Sequence, residues 1–133
     1  MRLEGSMAKY DELFDGQCME TLFPPQRTED FFDALFGDAE EGSYDIALAF
    51  SGERDEALDF EFQLRQRPGK CLVCSLTYGL PKVFSRHPVI NVQGLAEKIA
   101  ALAGKQGQVS WKLGMTDERT DGLHVIPLSV EVA

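Results

Sequence analysis

The side chains best suited to chemistry are few: Cys18, Cys71, Cys74, His87 and His124. Cys71 and Cys74 form a C-x-x-C within "KCLVCSLTYG", residues 70–79. That spacing admits a metal clip, a redox pair, or two cysteines on one strand. Leu72, Cys74, Leu76 and Tyr78 share one alternating phase, and Cys71, Val73, Ser75 and Thr77 share the other. Side chains at i and i+3 on a strand point to opposite faces, so the two thiols are expected to diverge. A structural zinc also needs four ligands, and Cys18, His87 and His124 stand at no zinc spacing. The expectation is three structural thiols, with no metal and no cofactor.

The other candidates are surfaces. His87 lies in "SRHPVIN", beside Lys82 and Arg86, and with Arg65, Arg67 and Lys70 these could form an anion-binding patch. Val83 and Phe84 sit in the same Pro-bounded stretch. Phe84 either folds back onto the core or joins Val83 and Arg86 in an interface, whose composition favours an aromatic beside an arginine. Asp59, Glu61, Gln63 and Arg65 form the polar face of a strand and a second interaction surface. His124 falls on a core phase, where a satisfied histidine is expected. The acidic runs Asp38–Glu40–Glu41 and Asp117–Glu118–Asp121 do not match the calcium-loop pattern. No glycine-rich phosphate loop, G-x-S-x-G or H-E-x-x-H is present. No catalytic residue is assigned, and an enzyme is not the favoured reading.

The net charge is −9. An acidic surface repels a phosphate backbone, which argues against nucleic acid as a partner. The charge is uneven: residues 1–62 carry −13, residues 63–112 carry +7 and residues 113–133 carry −3. An acidic and a basic face on one domain would suit a charged protein partner or self-association. No apolar run approaches the ~20 residues of a membrane span. The N-terminus lacks the basic and apolar regions of a signal peptide, so a cytoplasmic location is expected. "MRLEGSM" reads as a vector-derived tag over residues 1–6, with Met7 as the native start.

These residues need elements to position them. Residues 7–37 read as N-terminal helices. Thr28 is the expected cap of the second of them and Gly37 its stop. The period then changes from 3.6 to 2. Tyr44, Ile46, Leu48 and Phe50 alternate with Asp45, Ala47, Ala49 and Ser51. Leu58, Phe60, Phe62 and Leu64 alternate with Asp59, Glu61, Gln63 and Arg65. With a third strand through Tyr78, residues 44–79 make a three-stranded meander. "GLPKVFSRHPVIN" is an irregular crossover. Asn91 caps a helix over 91–103, and residues 108–132 make a hairpin, with "TDERTDG" as its loop. Pro127 suggests an edge strand. The sum is one α+β domain over 7–133: a two-layer sandwich with a five-stranded antiparallel sheet and helices on one face, in the order α(α)-β-β-β-α-β-β.

The stretch "FFDALFGDAEEGSYDIALAF" resembles a small bacterial family of uncharacterised proteins, whose members sometimes carry a misleading pancreas/duodenum homeobox label; it implies no activity. The element order, acidity and size are similar to class I type III secretion chaperones. That resemblance implies a homodimer that binds a segment of another protein. The expectation is therefore a non-enzymatic protein-interaction module, homodimeric and chaperone- or adaptor-like. The alternatives are a small-molecule or anion sensor, or a small metal protein or enzyme using Cys and His.

Overall fold

The computed structural model describes residues 10, 12–37, 42–54, 57–72, 77–105 and 107–132. Residues 1–6, the acidic run Asp38–Glu41 and Cys74 lie outside them. The elements are α1 (Gly16–Leu22), α2 (Gln26–Phe36), β1 (Tyr44–Arg54), β2 (Ala57–Gln66), a 3-10 turn (Thr77–Gly79), α3 (Leu80–Arg86), α4 (Val92–Leu102), β3 (Val109–Leu113), β4 (Asp117–Thr120) and β5 (Leu123–Val132). The five strands form one antiparallel sheet in the order β1-β2-β5-β3, and β4 also pairs with β5. This is the expected α+β sandwich. Among the described residues, no helix is long and apolar enough to cross a membrane.

The strand phases sort the two faces as their alternation dictates. Leu58, Phe60, Phe62 and Leu64 of β2 are buried, and so are His124, Ile126, Leu128 and Val130 of β5. The helices pack over them. Phe84 of α3 is fully buried and meets Phe31 and Phe62 edge-on, with centroids 5.5 and 5.4 Å apart. Phe23 also meets Phe62 edge-on, at 5.5 Å. Edge-to-face pairs add attraction beyond the apolar area they bury. Phe84 is thus a core residue, which overturns its place on an exposed interaction surface.

Several local features match the sequence and several correct it. Gly37 ends α2 in the left-handed region at φ 79°, and the Asn91 side chain accepts the Gly94 N–H to cap α4. Thr28 does not cap α2. It is buried within the helix, and its hydroxyl donates to the Ile46 carbonyl and accepts the Ile46 N–H, at 3.2 and 3.0 Å. One side chain thereby satisfies the outer backbone groups of edge strand β1 at that residue.

Where the third strand is expected, the described residues hold the Pro68-Gly69 turn, an irregular stretch at Cys71 and Leu72, and the 3-10 turn, and residues 73–76 lie outside them. The crossover expected to be irregular contains α3, with Pro81 in its first turn, where a missing N–H costs nothing. The remaining strand comes from Asp117–Thr120, within the expected hairpin loop.

Pro127 is not on an edge, because β5 pairs with β2 on one side and with β3 and β4 on the other. Its carbonyl accepts the Gly114 N–H at 2.9 Å. A strand residue's N and O face the same neighbour, so the proline's missing donor faces the β3–β4 side. There Leu113 pairs with Leu128 and Asp117 with Val125, so three residues oppose two and the edge carries a one-residue bulge. The proline therefore removes no bond to β2.

Gly42 is buried, and a Cβ there would run into the Phe32 ring. Gly42→Ala should lower stability by about 1–3 kcal/mol, the usual cost of overpacking a filled site. Urea denaturation measures it, and an unchanged midpoint would mean that the ring swings aside freely.

Candidate functional site

With the helices on one face, the other face of the sheet is open. It carries Asp45, Ala47 and Ala49 of β1, Asp59, Glu61, Gln63 and Arg65 of β2, and Pro127 and Ser129 of β5. Rigid strands hold these side chains, so their spacing is fixed by register. Glu61 lies opposite Pro127, Gln63 opposite Val125 and Asp59 opposite Ser129.

A polar chain crosses this face. Arg119 grips Glu61 in a two-point pair, Nη2 to Oε1 at 3.0 Å and Nη1 to Oε2 at 3.3 Å. Its Nε reaches Asp117 Oδ2 at 3.3 Å. Gln63 donates to Glu61 Oε2 at 2.9 Å, and Arg65 donates to Gln63 Oε1 at 3.2 Å. Beside them Ser129 donates to Asp59 at 2.9 Å. The Glu61 carboxylate, with help from Asp117, pushes the Arg119 guanidinium above its ordinary value. The Glu61 side chain is 13% exposed and that of Arg119 47%, so the pair is half in water and contributes little to stability. Its effect is to hold a fixed pattern of charge.

Two clefts meet at Ser129. One, of about 310 Å³, is walled by Ser51, Asp59, Glu61, Arg119 and Pro127. The other, of about 420 Å³, is lined by Ser110, Trp111, Lys112 and Glu131. Trp111 is half-buried, and its indole N–H donates to Gln93 Oε1 of α4 at 2.7 Å.

Asp59 and Glu61 lie on the polar face of β2, both partly buried. Arg119 was missed. Its stretch, TDERTDG, reads as a hairpin loop, and its partner is 58 residues away in sequence, so no local signal reveals the pair. Val83 is 36% exposed and Arg86 is exposed on α3, but Phe84 faces inward.

The residues expected to bind an anion are spread over both layers. Arg65 belongs to the open face. Arg67 bonds Asp45 at 3.0 Å and the Gly42 carbonyl at 3.2 Å and stacks over Phe32. Lys82 and Arg86 are exposed on α3, and His87 follows them, its ring edge-on to Phe31 at 4.8 Å and its Nδ1 accepting the Val89 N–H. None of the five lines the two clefts.

His124 is only partly the satisfied core histidine that was expected. It is 1% exposed, and its Nδ1 lies 2.7 Å from the Thr77 hydroxyl. The Thr116 hydroxyl donates to the Thr77 carbonyl at 2.7 Å. His124 Nε2 is buried with no hydrogen-bond partner among the described residues. Tyr78 and Met115, next to this layer in sequence, are 61% and 81% exposed. A hydrogen bond to Glu118 pushes the Tyr78 phenol up.

The cysteines also differ from expectation. Cys71 is disulfide-bonded, whereas Cys18 is a free thiol whose titration burial pushes up. Cys71 is not on a strand, so the divergence expected of alternating side chains does not apply to it. Among the described residues, no group of three or more His, Cys, Asp or Glu side chains is placed to hold a metal ion. Comparison with protein-family models, with curated proteins and with solved structures finds no match to this chain.

Proposed function

We propose that this domain is a non-enzymatic protein-interaction module that docks its partner on the open face of the sheet, and that the occupant is a second copy of the same chain. The observation that carries this reading is the self-complementary pattern of that face. Its middle row, Ala49–Glu61–Pro127, is small except for Glu61, whose charge Arg119 already holds. One row to either side, at the same strand position, lie Asp117 opposite Val125 and Lys112 opposite Ser129. A two-fold axis in the plane of the sheet, across the strands through the middle row, exchanges those rows. It sets Asp117 of one copy over Lys112 of the other, twice, and Gln63 over Asp59. Isologous interfaces need such self-matching, and flat small-residue faces let two sheets pack about 10 Å apart.

Charge exchange tests this reading by sedimentation equilibrium. Lys112→Glu and Asp117→Lys, made singly, each place like charges face to face and should weaken the dimer by about tenfold or more. The double exchange restores the pairing and should restore the dimer. A chain that is monomeric at every concentration, or a double variant whose losses simply add, would sink the proposal.

A further inference from the structure

We propose that the free edge of β1, where it borders α1, is a docking site for an extended basic segment of another protein, which joins the sheet as a further strand.

The backbone phase of β1 sets the site. The N and O of a strand residue face the same neighbour, and the side alternates along the chain. Ile46 turns both groups outward, where the Thr28 hydroxyl meets them. Leu48 and Phe50 share that phase, ahead of the bulge between Phe50 and Gly52. Thr28 serves the first of the three residues and not the other two. Among the described residues, no hydrogen bond meets the outer N–H and C=O of Leu48 or Phe50. Leu48 is 5% exposed, and unpaired backbone groups with so little access to water are costly. An extended chain laid along the edge meets a donor and an acceptor at each such residue, the bonding of strand addition.

A groove of about 310 Å³ lies at this point of the edge. Met19, Phe23 and Pro25 wall it on the α1 side, and Ile46 and Leu48 on the β1 side. It has room for a few side chains of a peptide and not for a folded domain.

Charge selects the occupant. Glu20 is exposed and lines the groove, and Asp15 precedes Gly16, which lines it too. None of its described lining residues is basic. Arg27, the one cation of residues 12–37, donates instead to the carbonyls of Val89 and Ile90, each at 3.3 Å. The matching segment therefore places apolar side chains against Met19 and Phe23 and a lysine or arginine beside Glu20. The same charge disfavours a second copy paired edge to edge, because two acidic rims would meet. The added strand lies beside the sheet and not on its open face, so this proposal stands or falls independently of the open-face dimer.

The probe is the peptide acetyl-Lys-Val-Lys-Val-Lys-amide, titrated into the full chain and followed by NMR. The expected result is saturable shifts of the Leu48 and Phe50 amides, with their hydrogen exchange slowed by about tenfold or more. The same peptide N-methylated at every residue cannot donate to the edge, and the peptide with glutamate in place of lysine carries the wrong charge, so neither should bind. A Cβ at Gly16 meets nothing within 4 Å, and methionine is the better helix former. Gly16→Met should thus keep the fold, fill the groove and weaken the lysine peptide by about tenfold or more. Glu20→Lys, at an exposed position, should weaken it by charge. If Gly16→Met does not fold, Glu20→Lys and the unaltered chain decide. Leu48 and Phe50 amides already as protected as that of Ala47 without peptide, equal binding of the glutamate peptide, or self-association abolished by Gly16→Met with no peptide bound would each overturn the proposal.

Discussion

Phe84→Ala should destabilise the domain by about 3–5 kcal/mol, the range for deleting a buried phenyl ring. The ring is fully buried and bridges Phe31 of α2 to Phe62 at the centre of the sheet. Removing it leaves a cavity where the helical layer meets β2, and neither a helix nor a paired strand can close in to fill it. Total stability for a domain of this size is about 5–15 kcal/mol, so a large share would be lost. Urea denaturation should show the midpoint falling with little change in slope. Val83→Ala, one residue away and 36% exposed, should change stability far less. Equal effects at the two positions would mean that Phe84 is a surface residue after all.

Thr28→Val comes next. The two side chains have nearly the same shape, so packing is kept while the hydroxyl is lost. The Ile46 N–H and carbonyl, both served by that hydroxyl, would be left without it inside the protein. Each buried backbone group left unpaired costs about 1–3 kcal/mol, so a loss of about 2–4 kcal/mol is expected. Thr28→Ser keeps the hydroxyl and should recover most of it. Thermal melts of the three proteins would settle the point, and a valine variant as stable as the parent would show that the edge of β1 finds other partners.

Much of the fold was legible. The alternation of Leu58, Phe60, Phe62 and Leu64 against charged neighbours identified β2 and both its faces, because burial on one side leaves no other way to arrange a strand. Asn91 and Gly37 announced helix ends through local chemistry alone. The expected strand fails at its described residues, 71–72 and 77–78, for a physical reason. A period-2 pattern describes any extended segment, and whether it joins a sheet depends on a free edge being offered. Here β5 occupies the side of β2 away from β1. The open face was half legible: Asp59 and Glu61 were in place, but Arg119 joins them only because β4 lies beside β5. His124 was placed correctly on the core phase, yet Thr77 and Thr116, which meet at it, sit 47 and 8 positions away from it in sequence, and the first of them was assigned to a strand.

Trp111 is the chain's one tryptophan. Its indole lies on the helical face of the sheet, opposite the core-phase Val130, and is tied to Gln93 of α4. The molecule therefore carries its own optical reporter at the seam between α4 and β3. Emission from a half-shielded indole moves to shorter wavelength when water is driven from its rim. Loosening of α4 from the sheet admits water there and moves the emission to longer wavelength, so the seating of that helix can be followed in a fluorimeter without attaching a dye.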